Sequence, residues 1–142
     1  MRNIKTQINL IDKKIILRLD LNVPLDSGKI IDSTRIDKII PTLKFLNSQN
    51  TKVIIISHVG RPNGKIVNDF SLEPICKDLE HKLTQKIRLI KKNIKELNNK
   101  NIFNNDDEKI IMLENIRFYS EEEKNDLQFA KQLAGLADIF VN

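Results

Sequence analysis

Short apolar runs recur along the chain, and each one ends at polar residues. They are rich in Ile, Leu and Val and are nearly continuous, without alternation between apolar and polar positions. Runs of this length and character are typical of strands that are buried on both faces of a sheet. The predicted strands are residues 14–19, 52–56, 110–113 and 139–141, with a weaker candidate at 87–90.

The first helical pattern follows the first strand and contains a proline. Its apolar residues have the three- and four-residue spacing of one helix face. They are Ile36, Ile39, Ile40, Leu43 and Leu46. Asp32, Ser33 and Thr34 precede them as candidate N-terminal caps. Pro41 lies inside the pattern, and we expect it to kink the helix or to split it in two.

Two further helices are predicted in the second half of the chain. Ser71 is the predicted N-cap of one, with Pro74 in the first turn, where its missing N–H is harmless. The other contains Leu127, Ala130, Leu133, Ala134 and Ala137. Residues 98–108 are polar and are predicted to form a loop. We see neither an internal repeat nor a linker, so we expect residues 1–142 to form one domain.

Alternating strands and helices predict an α/β fold. The implied architecture is a Rossmann-like, three-layer parallel sheet with right-handed crossovers and helices on both faces. Ligands of such folds bind beyond the carboxyl ends of the strands. The residues that follow each strand are therefore the candidates for a functional site.

Polar residues with matching chemistry follow three of the predicted strands, and one more opens the first helix. They are Asp20, Asn22, Arg35, His58, Arg61 and Arg117. Because arginine presents paired donors that match carboxylate and phosphate oxygens, three arginines with a histidine favour a small polyanion as ligand. Asp20 and Asn22 add acceptors for a hydroxyl group, and Gly60 allows close approach of the backbone.

Each of these residues also has an ordinary structural interpretation. A single loop arginine is usually solvated, and a histidine at a strand end often makes a structural hydrogen bond. Asp20 and Asn22 could build a turn that Pro24 stiffens. Taken together, however, three strand ends with this chemistry favour a binding site.

Composition narrows the classes of protein that are compatible with the chain. No apolar run approaches the length of a membrane span, and the first residues lack the apolar core of a secretory signal, so we expect a cytoplasmic protein without a membrane partner. Cys76 is the single cysteine, which excludes an internal disulfide, and we expect it to be a small buried residue. The net charge of +5 leaves open an alternative, a basic nucleic-acid-binding module without enzymatic activity. Aromatic residues are only 5% and do not alternate with basic ones, which argues against that alternative.

At the strand ends the chain resembles the phosphoglycerate kinase family. Residues 18–25, RLDLNVPL, resemble the family signature RVDFNVPL, and residues 57–62, SHVGRP, resemble SHLGRP. Residues 113–118, LENIRF, with 121–125, EEEKN, match LENxRF…EEExN, and 137–142, ADIFVN, resemble ADxYVN. Leu21 and Val59 depart from the usual Phe and Leu but remain apolar. The motifs occur in order from about residue 4 to the end of the chain.

The resemblance implies an enzyme that transfers a phosphoryl group reversibly between ATP and the carboxylate of 3-phosphoglycerate, with Mg²⁺ bound together with ATP. It implies that Arg35 is catalytic, reaching the carboxylate and the phosphoryl group in flight. The substrate-binding residues that it implies are Asp20, Leu21, Asn22, Arg35, His58, Val59, Gly60, Arg61 and Arg117. His58, Arg61 and Arg117 match the basic patch for the phosphate, and Asp20 and Asn22 match the contacts at the hydroxyl and carboxylate end.

The resemblance covers only the N-terminal, acid-binding portion of the family. ATP, ADP and Mg²⁺ are expected to be held by the family's C-terminal domain, and no glycine-rich phosphate-binding motif occurs here. We therefore expect a partial domain, incomplete at its C-terminal end, with marginal stability and negligible kinase activity alone. The full-length protein is expected to be monomeric and not to bind nucleic acid.

Overall fold

The computed structural model describes residues 9–142, so the beginning of the family resemblance at about residue 4 lies outside the described range. Two sheets occur in this range, one of five strands and one of two. In chain order the strands are β1 (Lys14–Arg18), β2 (Leu25–Asp26), β3 (Lys29–Ile30), β4 (Lys52–Ile56), β5 (Arg88–Ile90), β6 (Ile110–Leu113) and β7 (Ile139–Val141). The helices are α1 (Thr34–Ser48), α2 (Glu73–Leu83), α3 (Ser120–Glu123) and α4 (Leu127–Ala134).

The large sheet is parallel throughout, with the strand order β5-β6-β4-β1-β7. Its strands are those that the apolar runs predict. Three of them have the predicted bounds, whereas β1 ends one residue earlier and β5 begins one residue later. The parallel α/β prediction is confirmed.

Each central strand is buried on both faces, and alternate residues enter two separate cores. Ile15 and Leu17 of β1 pack with α1 and α2, whereas Ile16 packs into the core on the opposite face. That second core includes Phe129 and Leu133 of α4. The continuous apolar runs therefore reflect a sheet between two helical layers, which confirms the predicted three-layer arrangement.

Helix α1 is continuous across Pro41, so the prediction that this proline could split the helix is wrong. Ile36, Leu43 and Leu46 are all 0% exposed, and their packing against the sheet holds the helix together where the local preference of proline opposes it. Ser33 is the N-cap residue but makes no side-chain cap bond. The Asp32 carboxylate instead accepts a hydrogen bond from the Thr34 N–H at 2.8 Å.

The other helix ends differ slightly from the predictions. Leu72, rather than Ser71, is the N-cap residue of α2, and the Ser71 hydroxyl accepts a hydrogen bond from the Glu73 N–H at 3.2 Å. Helix α4 ends at Ala134, so Ala137 lies outside it. Phe129, which the helical pattern omitted, is buried, whereas Leu127 is 68% exposed.

Cys76 lies buried in α2, as expected. Burial raises the pKa of its thiol to about 12, and the nearby carboxylates of Glu80, Glu114 and Glu73 act in the same direction. The thiol is therefore protonated at neutral pH and behaves as a core residue.

The two-stranded sheet is a hairpin that the sequence analysis did not predict. β2 and β3 are joined by Ser27 and Gly28, which both have positive φ, as a two-residue type I′ turn requires. Residues 98–108 contain neither helix nor strand, in agreement with the predicted loop. Within residues 9–142, no helix has the length and apolarity needed to cross a bilayer.

Pro41 generates a stability prediction. It is exposed on α1 and cannot donate a hydrogen bond to the carbonyl of Asp37, so Pro41→Ala restores that bond without removing core packing. We expect the free energy of unfolding to rise by about 1–2 kcal/mol, the gain being reduced by the greater freedom of the unfolded chain. Urea unfolding followed by circular dichroism measures this. Lys38→Ala, an exposed change on the same helix, is the control, and a less stable Pro41→Ala chain contradicts the prediction.

Candidate functional site

The carboxyl ends of β1, β4 and β6 are joined by hydrogen bonds around Ser57. The Ser57 hydroxyl donates to the Leu19 carbonyl at 2.7 Å and accepts from the Leu21 N–H at 3.1 Å. The Ser57 carbonyl accepts from the Ile116 N–H at 3.1 Å. Ser57 is 1% exposed, so this buried residue fixes the loop after β4 to the loops that follow the two neighbouring strands.

Asn115 connects the loop after β6 to the loop after β4. Its side chain is fully buried and donates to the carbonyls of Val59 and Phe70 at 2.8 and 2.9 Å. Its side-chain oxygen accepts from the Arg117 N–H at 3.1 Å. The backbone of Arg117 is thereby held in a fixed position relative to the loop that carries His58. Asn115 belongs to the LENIRF segment after β6 that the sequence analysis quoted, but it was not among the predicted site residues.

Asn22 and Gly60 connect the loops after β1 and β4. The Asn22 side-chain oxygen accepts a hydrogen bond from the Gly60 N–H at 3.1 Å. Gly60 has φ +64, and a Cβ at this position would lie 2.5 Å from the Phe70 ring. Glycine is therefore required both by the backbone conformation and by the ring packed against it. Asn22, Val59 and Gly60 line a recess of about 550 Å³ at this edge.

Asp20 and Arg35 form an ion pair that joins the end of β1 to the first turn of α1. The other carboxylate oxygen of Asp20 is 3.4 Å from the Asn22 N–H, which donates to it. Both charged side chains are more than half exposed, so the pair is accessible to a ligand and contributes little to stability.

His58 is partly buried, and its environment favours the neutral imidazole. Burial is the main cause that lowers the pKa of His58, followed by the positive charge of Arg117. Arg18 also lowers this pKa, whereas the carboxylates of Glu122 and Asp20 raise it. The charges that act on His58 therefore come from the ends of the two neighbouring strands, β1 and β6, and from α3.

A network of two arginines and one glutamate lies beside His58, and the sequence analysis identified only Arg117 in it. The Glu122 carboxylate accepts from Arg18 Nη2 at 2.8 Å, and its other oxygen lies 3.5 Å from Arg117 Nε. Arg18 is the last residue of β1, and Glu122 lies in α3. Arg18 and Glu122 both lie in quoted family motifs, residues 18–25 and 121–125, but neither was among the predicted site residues.

The remaining predicted site residues differ in accessibility. Arg61 is exposed and makes no ion pair or hydrogen bond with another residue of the described chain, so its guanidinium is available to a ligand. Leu21 and Val59 are 0% and 3% exposed and belong to the core beneath the edge. Any contact of these two residues with a ligand would involve their backbone.

This edge of the sheet carries an excess of positive charge. The guanidiniums of Arg18, Arg35 and Arg117 pair with two carboxylates, those of Asp20 and Glu122, and Arg61, which follows Gly60, adds a positive charge that is unpaired among the described residues. The net charge suits a small anion with two negative charges, with arginines supplying paired donors. Within residues 9–142, no group of three or more His, Cys, Asp or Glu side chains could hold a metal ion.

Comparison with known proteins is consistent with this chemistry. A sequence model described as phosphoglycerate kinase matches residues 5–142. The phosphoglycerate kinase of Prochlorococcus marinus (strain MIT 9515) is 49% identical over 133 residues, which cover 92% of this chain and 33% of that protein. The phosphoglycerate kinase of Dictyoglomus turgidum is 45% identical over 130 residues, with the same coverage of both chains.

Two solved structures resemble the fold closely. The phosphoglycerate kinase of Coxiella burnetii aligns with a TM-score of 0.83 and 37% identity over 95% of this chain and 33% of its own. That of Pyrococcus horikoshii OT3 aligns with a TM-score of 0.85 and 29% identity over 100% of this chain and 36% of its own. The chain thus spans about a third of the length of the relatives that it matches. With its sequence matched over residues 5–142 and its fold shared with solved relatives, the chain belongs to the phosphoglycerate kinase family.

Proposed function

We propose that this chain provides the acid-substrate side of a phosphoglycerate kinase, which in glycolysis transfers a phosphoryl group reversibly between ATP and 3-phosphoglycerate. The products in one direction are 1,3-bisphosphoglycerate and ADP. The observation that carries the proposal is the grouping of Arg18, Arg35, Arg117 and His58 at one sheet edge of a chain that belongs to this family.

The two ends of 3-phosphoglycerate need different partners. His58, Arg61 and Arg117 bind the phosphate, since guanidinium groups donate paired hydrogen bonds to its oxygens. Asp20 accepts a hydrogen bond from the hydroxyl group of the acid. The side-chain oxygen of Asn22 is occupied by the Gly60 N–H, so Asn22 contributes its amide nitrogen as a donor. This arrangement directs the carboxylate of the acid away from the phosphate patch.

The chemical step needs little beyond positioning and charge stabilisation. A carboxylate oxygen of the acid attacks the terminal phosphorus of ATP, and the bond from that phosphorus to the bridging oxygen breaks. No proton has to be removed, because the attacking carboxylate is already ionised. Arg35 donates to the carboxylate and to the equatorial oxygens of the transferred group, where negative charge must be stabilised.

The nucleotide side of the reaction is proposed for parts of the enzyme outside residues 1–142. The relatives are about three times as long as this chain, and ATP with its Mg²⁺ is assigned to their additional length. Magnesium bound with ATP supplies charge neutralisation at the phosphates. A monomeric, cytoplasmic enzyme without nucleic-acid or membrane partners completes the proposal.

The first prediction concerns the phosphate patch. We expect Arg61→Ala to weaken 3-phosphoglycerate binding by about 10- to 100-fold, because charge-assisted hydrogen bonds are lost. An NMR titration of the chain measures this affinity. Lys44→Ala removes an equal charge from an exposed position on α1 and is the matched control. Equal affinities of the Arg61→Ala and Lys44→Ala chains would refute the assignment, as would binding of glycerate as tight as that of 3-phosphoglycerate.

The second prediction concerns the protonation of His58. In the free chain, burial and Arg117 hold its pKa below 6.5. A bound phosphate dianion favours the imidazolium, so 3-phosphoglycerate must raise this pKa, and by linkage the His58 contribution to binding grows as the pH falls. NMR titration of the imidazole protons with and without ligand measures the shift. The exposed His81 serves as the internal reference, and a His58 pKa unchanged by saturating ligand argues against phosphate contact.

The third prediction concerns turnover. Residues 1–142 alone should show no phosphoryl transfer above background in a coupled assay with ATP, Mg²⁺ and 3-phosphoglycerate, because no glycine-rich nucleotide-binding motif is present. The assay mixture supplemented with an authentic phosphoglycerate kinase is the positive control. Measurable turnover that is lost in the Arg35→Ala chain would show that residues 1–142 are sufficient for catalysis and would overturn this assignment.

A further inference from the structure

Glu122 occupies an unusual position for a carboxylate at the edge of an anion site. It lies in the one-turn helix α3, five residues after Arg117, and its side chain is only 10% exposed. Its two oxygens face different arginines, Arg18 Nη2 at 2.8 Å and Arg117 Nε at 3.5 Å. Arg18 is the last residue of β1, and Arg117 lies in the loop after β6. These two strands lie on either side of β4. The carboxylate therefore bridges the sheet edge across the end of β4.

We infer that Glu122 is a positioning residue that holds the guanidiniums of Arg18 and Arg117 ready for an incoming phosphate. The identity of the ligand rests on the proposed function. The bridge, by which we mean the contacts of Glu122 with Arg18 and Arg117, rests on the geometry. Glu122 lies in the resembled motif at residues 121–125, but that resemblance assigns it no role.

Electrostatic repulsion explains why the bridge is needed. Two guanidiniums directed at one small anion repel each other when that anion is absent, and a carboxylate between them offsets this repulsion. Without it, each long side chain would move into solvent, and ligand binding would have to order both again. Glu122 keeps both arginines ordered before the ligand arrives.

The contacts of Arg117 leave part of its guanidinium available. Asn115 fixes its backbone, and Glu122 faces its Nε, which is buried and has no hydrogen-bond partner. Its terminal nitrogens make no hydrogen bond to an acceptor among residues 9–142. The Nε side of the guanidinium thus faces Glu122 in an ion pair, not a hydrogen bond, and the terminal donors remain for phosphate oxygens.

A competing interpretation predicts the opposite effect on binding. If Glu122 were only a nearby negative charge, it would repel the anion, and removing its charge would tighten binding. If it positions the arginines, removing its charge weakens binding despite the lost repulsion. The sign of the change in affinity therefore distinguishes the two interpretations.

The bridge also acts on His58, which gives a readout without any ligand. The charged groups that influence His58 are Arg117 and Arg18, which lower its pKa, and Glu122 and Asp20, which raise it. Neutralising Glu122 must therefore lower the pKa of His58 further. A role of Glu122 in folding alone would not produce this change.

The test uses three variants of the chain with 3-phosphoglycerate as the probe. Glu122→Gln removes the charge and keeps the size, and Glu122→Asp keeps the charge and shortens the reach. Glu123→Gln is the matched control, because Glu123 is the next residue of α3, is exposed and makes no ion pair among the described residues. NMR gives the affinity of each variant and the titration midpoint of His58. The chain has two histidines, so His58→Gln assigns the signals.

The expected pattern is specific. Glu122→Gln weakens binding by about ten-fold and lowers the His58 midpoint, Glu122→Asp loses less affinity, and Glu123→Gln matches the wild-type chain. Unchanged or tighter binding by Glu122→Gln overturns the inference, as does an equal loss in Glu123→Gln. If Glu122→Gln does not give a folded spectrum, Glu122→Asp decides, and wild-type affinity in that variant overturns the inference.

Failure of the proposed function would be recognised separately. If the wild-type chain does not bind 3-phosphoglycerate, the assignment of the ligand fails, and inorganic phosphate then serves as the probe for the same variants, with the His58 midpoint as the check that the Glu122 charge acts at this edge. An unchanged midpoint then overturns the inference.

Discussion

The parallel register of β1, β4 and β6 is the constraint on which the candidate site depends. Arg18 at the end of β1 is paired with Ile56 at the end of β4, and Ile55 is paired with Met112. The three following loops must therefore begin side by side. Their polar groups are buried together, so they need internal partners, and Ser57 provides such bonds. The charged side chains lie above this hydrogen-bonded layer, and their positions follow from it.

Much of this arrangement could be predicted from sequence because two-sided burial produces continuous apolar runs. The bounds of β4, β6 and β7 followed directly from those runs, and the convergence of strand ends followed from topology. The conformational preferences of single residues predicted the structure less well where tertiary packing opposed them. Pro41 has an unfavourable position inside α1, yet the helix stays intact because its buried face packs against the sheet.

The residues that sequence analysis missed are those whose role depends on distant partners. Arg18 and Glu122 are 104 positions apart, and neither has a local pattern that indicates the other. Glu122 lies in a run of three glutamates, and only the fold shows that the side chain of this one is 10% exposed and faces two arginines. Asn115 is similar, because its carbonyl partner at Val59 is 56 residues away. The spacing of apolar residues along the sequence indicates which residues are buried and whether they form a helix or a strand. It does not indicate which side chains of different loops contact each other, and that requires the three-dimensional structure.

Electrostatics explains why carboxylates lie beside the arginines of the proposed anion site. The arginines must be held in place before the ligand binds. Arginines at one edge repel one another, and solvation of their long side chains opposes a fixed arrangement. Asp20 restrains Arg35 at the exposed side, and Glu122 restrains Arg18 and Arg117 at the buried side. Each carboxylate reduces the net attraction for an anion, but it lowers the cost of ordering the donors. An edge with fewer free charges in fixed positions can thus bind a phosphate better than a more positive edge with mobile arginines.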